Sequence, residues 1–153
     1  YYQTPWDLGY GKLIKFDGHE FVGKQALLAM QHQPHRTKKW LKWNADDVMK
    51  VFRSMFNTGD RYKHLEMPAA QYATLPFDRV MLGGRMVGLS LYPVYTANVR
   101  GWFSLAMIDE ADAKDGTEVE IVWGEENGGS RKPVVERHVQ TTIRARIASS
   151  AMG

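Results

Sequence analysis

Tyr10 stands between Gly9 and Gly11, and that pattern is the clearest binding surface the chain offers. Glycines have no side chain to hold a neighbour away, so an aromatic ring flanked by two of them can lie flat against a planar molecule. The same residues also suit an ordinary packing aromatic covered by another part of the protein. Further on, Lys38-Lys39-Trp40-Leu41-Lys42-Trp43 interleaves cations with aromatic rings. Single-stranded nucleic-acid surfaces have this composition, because bases stack on rings and phosphates pair with lysine. An edge strand with solvated lysines has it too. The formal net charge of +3, from 20 basic and 17 acidic residues, gives a polyanion little to hold, so the strand reading is preferred and no nucleic-acid partner is expected.

Other candidates read more simply as structure. His32 and His35 are separated by Gln33 and Pro34 with no third ligand nearby, which fits a solvated, basic helix end better than a metal pair, and no metal site is expected. His138 sits beside Glu136 and Gln140 on the polar face of the final strand, as a surface or interdomain hydrogen-bonding residue; general-base chemistry is the alternative. The chain has no cysteine, which excludes disulfides, thiolate catalysis and cysteine-ligated metals within it. Gly83-Gly84 and Gly128-Gly129 lack the strand, lysine and helix of a phosphate loop, and no serine lies in a nucleophile elbow. No catalytic residue is therefore assigned to this chain.

The elements that must position these residues follow from periodicity. At 153 residues, 44% hydrophobic and 24% charged, the chain suits one soluble domain with a core. It carries no bilayer-length apolar run and no signal-peptide pattern at its start, so a cytoplasmic location without membrane contact is expected. Leu8 to Phe16 reads as a short strand, Asp17-Gly18 as a turn, and Gly23 as the opening of a helix that ends before Pro34. Trp40, Leu41 and Trp43 mark a strand. Asn44 caps a helix running to Phe56, with Asp47 at the capping-box spacing and Val48, Val51, Phe52 and Met55 on one apolar face. Met49 and Met55, on or beside that face, read as core residues.

From Asp78 onward the period is two. Val80 and Leu82 lead into a tight hairpin at Gly83-Gly84, and Val87, Leu89 and Leu91 continue on the return strand. Strands follow at Trp102 to Ile108 and at Val119, Ile121 and Trp123. In the last run Val135, Val139, Ile143, Ala145 and Ile147 share one face. Five or six antiparallel strands with short turns imply a small barrel or sandwich, and the predicted fold class is mainly β, α+β overall: an antiparallel six-stranded barrel-like domain preceded by a strand-helix remnant. Val80, Leu89, Leu105, Ile121, Val139 and Ile143 are expected inside it.

The stretch LGYGKLIKFDGHEFVGKQAL resembles the segment closing the folate-binding region of the glycine-cleavage T-protein family, the tetrahydrofolate-dependent aminomethyltransferases. Val87-Gly88-Leu89-Ser90, Ser104-Leu105-Ala106, Gly116-Thr117-Glu118-Val119 and Glu136 to Ile147 resemble that family's C-terminal domain, in the same order. Asn44 to Pro76 is longer than the corresponding link. This insertion, with Tyr92 to Asn98 and Val135 to Gln140, is more similar to the branch that demethylates aryl methyl ethers such as vanillate, or dimethylsulfoniopropionate. The resemblance implies that residues 1–35 end an upstream folate-binding domain, and that 36–153 form a C-terminal β-barrel with a helical insertion at 44–57. It implies a longer parent that moves a methyl group from an aryl methyl ether to tetrahydrofolate, with folate and a small methyl donor as partners. Its catalytic acid would lie upstream of Tyr1, and this chain alone would be inactive. Aminomethyl transfer and dimethylsulfoniopropionate-type demethylation are the alternatives within the family, and a non-catalytic ligand-binding barrel is the alternative outside it. Carried onto this sequence, the resemblance sets Tyr10 beside the pterin and Lys38 or Lys39 near the anionic glutamyl tail.

Overall fold

Strands with one apolar face each must hide that face, and here the sheet does so by curling onto itself. The computed structural model describes residues 3–67, 77–129 and 135–150. Its strands are β1 (Arg36–Trp43), β2 (Asp78–Leu82), β3 (Arg85–Thr96), β4 (Gly101–Asp109), β5 (Glu118–Trp123) and β6 (Thr141–Ala148). They pair antiparallel in the order β1-β4-β3-β2-β5-β6, and β6 returns to β1, so the barrel is closed and its strands have no open edge. Among the described residues two α-helices accompany it, α1 (Lys24–Met30) before the barrel and α2 (Ala45–Ser54) after β1. The six-stranded antiparallel barrel expected from the periodicity is the one that forms. The part of the insertion at 68–76 lies outside the described residues.

The barrel interior alternates bulk with smallness. Trp43, Trp102 and Trp123 are buried together, with Trp43 edge-on to Trp123 at 5.4 Å between ring centroids. Room for them comes from Gly88, Ser90, Ser104 and Ala106 on β3 and β4, all inward-facing and buried. The Trp43 indole N–H donates to Ser104 Oγ at 2.9 Å, and Ser90 Oγ donates to the same oxygen at 2.8 Å, so these buried polar atoms satisfy one another. Gly83 and Gly84 both take positive φ, 57° and 81°, between the paired residues Leu82 and Arg85, as a two-residue hairpin turn requires.

Half of the expected core list lies elsewhere. Val80, Ile121 and Ile143 are fully buried, whereas Leu89 and Leu105 are only half-buried and Val139 is exposed. The cause in β3 is a bulge: Val80 pairs with Gly88 but Met81 with Met86, leaving Val87 as an extra residue. Beyond it the alternation is reversed, so Gly88 and Ser90 face inward, while Leu89 and Leu91 face outward opposite Met107 and Leu105. Val139 falls outside because β6 starts only at Thr141; residues 135–140 are not strand apart from one isolated bridge between Val139 and Tyr62.

The strand expected over Leu8 to Phe16 is not formed either. A 3-10 turn, Gly11–Leu13, occupies its middle. Among the described residues no strand pairs with it, and its amides close local bonds instead: Gly9 to the Trp6 carbonyl at 2.9 Å and Tyr10 to the Pro5 carbonyl at 2.7 Å. Gly23 opens α1 with φ 91°, yet no residue of α1 is buried.

Helix α2 begins as expected, with Asn44 Oδ1 accepting the Asp47 N–H at 3.1 Å. The reciprocal half of a capping box is missing, because the Asp47 carboxylate reaches across to β6. It accepts from Arg144 Nε, Nη2 and backbone N–H, each at 2.9 Å. Val48 and Val51 are buried and Phe52 packs partly on the core, but Met49 and Met55 are exposed, contrary to the core reading. Met49 is rotated about 100° from Val48 around the helix, and Met55 lies at its C-cap, where the chain is leaving the barrel.

Hydrogen bonds from Arg144 hold the Asp47 carboxyl below its usual range, against the opposing effect of burial. A depressed folded-state value means that this contact stabilises the fold above the ordinary carboxylate range, and that its contribution is lost as pH falls through the folded value. The urea midpoint of the native chain should therefore exceed that of Asp47→Asn by a constant margin from pH 7 to 5. The margin should shrink below about pH 4. A margin unchanged at pH 3 would show that the pair does not set it.

Candidate functional site

Tyr10 and Lys38 come together. The turn at residues 5–13 carries Tyr10 to the outer surface of β1, where the residue is 53% exposed and Lys38 Nζ lies 6.0 Å from its ring centroid. The geometry is a loose cation-aromatic pair with an accessible ring, a surface suited to a flat ligand bearing negative charge. The two flanking glycines have an internal reason as well. Gly9, at φ 78°, lies against the Lys38 side chain, and a Cβ there would stand 3.4 Å from Cε. A Cβ on Gly11 would overlap the Trp6 ring. Trp6 in turn stacks on His35 at 4.3 Å with planes 8° apart. Both glycines thus let the protein's own side chains approach, and the Trp6–His35 stack ties the segment to the start of β1.

Lys39 faces the other way. Its ammonium lies 2.7 Å from Asp115 Oδ1 and 2.9 Å from Ser149 Oγ, so the structure does not bring it to Tyr10. Hydrogen bonds from Lys39 and Ser149 hold the Asp115 carboxyl below its ordinary range. Successive strand residues point to opposite faces, and the chain therefore divides the lysine-aromatic run between two surfaces. Lys38, Trp40 and Lys42 share the outer face, whereas Leu41 and Trp43 are core residues. With Trp43 buried, the run offers no continuous stacking platform.

His32 is exposed and His35 is committed to Trp6; among the described residues no cluster of three or more His, Asp or Glu side chains could hold a metal ion. His138 is a correction to the surface assignment. It is buried in a loop, with Nδ1 against the Glu136 carbonyl and Nε2 against the Glu125 N–H. A cleft of about 790 Å³ opens between the N-terminal segment and the barrel rim, with Asp7, His35 and the ion pairs Arg36–Asp109 and Arg85–Asp112 among its walls. Periodicity gave no sign of this cleft, because its walls come from residues distant in sequence. The Trp6–His35 stack was equally hidden, since Trp6 belongs to no periodic element.

Fold and surface together define a closed β-barrel domain carrying an attached segment with an exposed aromatic ring beside a cation. No family model matches the chain. It is 46% identical over 145 residues to a syringate O-demethylase of Sphingobium sp. (strain NBRC 103272 / SYK-6), a match covering 95% of this chain and 31% of that protein. It is 31% identical over 134 residues to a sesamin methylene transferase of Sinomonas sp. (strain No.22), covering 79% of this chain and 29% of that protein. The chain is thus similar to these two proteins along most of its own length, and it spans a little under a third of theirs.

Proposed function

We propose that this chain is the barrel-bearing C-terminal portion of a longer one-carbon transferase, which moves a methyl group from an aryl methyl ether to tetrahydrofolate. The 46% identity to a syringate O-demethylase across nearly the whole chain carries this reading. The lower identity, 31%, to a protein named for methylene transfer makes a methylene donor the second choice.

Tetrahydrofolate, when bound, supplies the nitrogen that accepts the one-carbon unit. The residues present fit such a group, because the accessible Tyr10 ring offers a flat contact and the adjacent Lys38 ammonium offers charge to an anionic tail. Lys39 is the weaker candidate for that tail, since its ammonium is already held by Asp115 and Ser149. Breaking an aryl ether requires a proton for the departing phenolic oxygen and in-line placement of the methyl carbon. On this reading the acid belongs to the upstream part of the longer protein, and this chain's task is positioning. Residues 3–35 would complete the upstream folate-binding unit, which explains why Leu13 and Val22 are left exposed here.

The test is calorimetry of tetrahydrofolate binding to the longer polypeptide that contains this chain. Tyr10→Ala should weaken binding by about 1–3 kcal/mol, the scale of an aromatic stacked on a planar heterocycle. Tyr10→Phe should lose much less, because the ring face remains. Lys38→Met should weaken binding most at low salt, where an exposed charge acts most strongly. Unchanged affinity in both Tyr10→Ala and Lys38→Met, with folding intact, would remove this surface from the cofactor site.

A further inference from the structure

Both ring nitrogens of the buried His138 are taken by backbone groups. Nε2 lies 2.7 Å from the Glu125 N–H, which can only donate, so Nε2 must present a lone pair. Nδ1 lies 2.8 Å from the Glu136 carbonyl, which can only accept, so Nδ1 must carry the proton. These two bonds define a neutral imidazole of one tautomer. Little space is left for another arrangement: Gly124, Gly128 and Gly129 wrap the residue with φ of 97°, 65° and 68°. A Cβ on Gly124 or Gly129 would stand 2.9 or 3.0 Å from ring carbons, and one on Gly128 2.7 Å from the His138 carbonyl oxygen.

The imidazole therefore ties the residues just after β5 to those just before β6. A second layer of bonds depends on the same stretch. The Val139 N–H donates to the Arg61 carbonyl at 2.8 Å, the His64 N–H to Glu136 Oε1 at 2.6 Å, and the Trp123 indole N–H to the Lys63 carbonyl at 2.8 Å. Residues 61–64 are thereby held across Trp123 at one end of the barrel.

We infer that His138 is an acid-sensitive latch, which in its neutral form holds residues 124–128, 136–139 and 61–64 together and on protonation releases them. The second proton has to go on Nε2, where it would meet the Glu125 N–H donor to donor. Charged groups on the elements packed around the ring are Glu125 and Glu126 after β5, Glu136 and Arg137 before β6, and Lys63 and His64 on the crossing segment. Among the described residues none of their side chains bonds a ring nitrogen. The proton is thus taken up by the released arrangement, in which Nε2 no longer faces the Glu125 N–H. Linkage then raises the released-to-held ratio as pH falls.

Nuclear magnetic resonance of the 15N-labelled chain between pH 7.5 and 5 tests the latch. The His138 ring should show the Nδ1–H tautomer at pH 7.5. The protection factors of the Glu125 amide, the Val139 amide and the Trp123 indole against hydrogen exchange should fall together, by the same factor at all three sites, as pH is lowered from 7.5 to 5. His138→Gln can accept from the Glu125 N–H but cannot be protonated, so its protection should not vary with pH. An Nε2–H tautomer, protection that is constant to pH 5 in the native chain, or the same decline in His138→Gln would each overturn the proposal. If His138→Gln fails to fold, the tautomer and the pH dependence of the native chain decide the matter alone.

Discussion

Replacing Trp43 with alanine is expected to destabilise the chain by about 3–5 kcal/mol, the usual scale for emptying a buried aromatic site. Trp43 is 4% exposed and touches the other two interior tryptophans, so its loss opens a cavity that rigid barrel walls cannot collapse into. It also removes the donor to Ser104 Oγ, which still receives the Ser90 hydroxyl. Total stabilities of domains this size are about 5–15 kcal/mol, so the variant should lose a large part of its denaturant resistance. Trp43→Phe keeps most of the volume and should cost less. Equilibrium urea unfolding of both variants measures this; a loss below about 1 kcal/mol in Trp43→Ala would mean that the three rings do not form one packed core.

The strand at Trp40 to Trp43 and the hairpin at Gly83-Gly84 were legible because their signals are local. A strand of alternating polarity shows its buried face directly, and two consecutive glycines fit one kind of turn. The Asn44 cap was legible for the same reason. The bulge at Val87 was not: the apolar alternation of Val87, Leu89 and Leu91 runs on unbroken, and only pairing with β2 shows that Val87 is the extra residue. Gly88 could have served as a warning. A side chain there would strike the Met107 carbonyl oxygen, so this position admits the partner strand closely and has to face inward.

Long-range partners were beyond the reach of pattern reading. Asp47 and Arg144 are 97 residues apart, and Lys39 and Asp115 are 76 apart, so neither pairing has a trace in local spacing. Tyr10 stood out through its two glycine neighbours and Lys38 through the lysine-aromatic run, but their proximity follows from the turn at residues 5–13. The strand expected there failed for a related reason. Apolar residues in sequence give a strand only when a neighbouring strand takes up its amides, and local turns satisfied them here. His138 was misplaced because alternation was extended through residues 135–140, whereas Gly124, Gly128 and Gly129, all at positive φ, fold the preceding loop around the ring.

The proposal is that this barrel serves a longer protein that transfers the methyl group of an aryl methyl ether to tetrahydrofolate. The most direct measurement uses the longer polypeptide containing this chain, purified and supplied with tetrahydrofolate and syringate carrying 13C in its methoxy groups. The account predicts that the 13C signal leaves the aryl ether and appears as a methyl group on folate nitrogen, in step with formation of the free phenol, and that the 153-residue chain alone gives no transfer. Label that stays in the ether with the longer polypeptide, or transfer catalysed by this chain on its own, would contradict it.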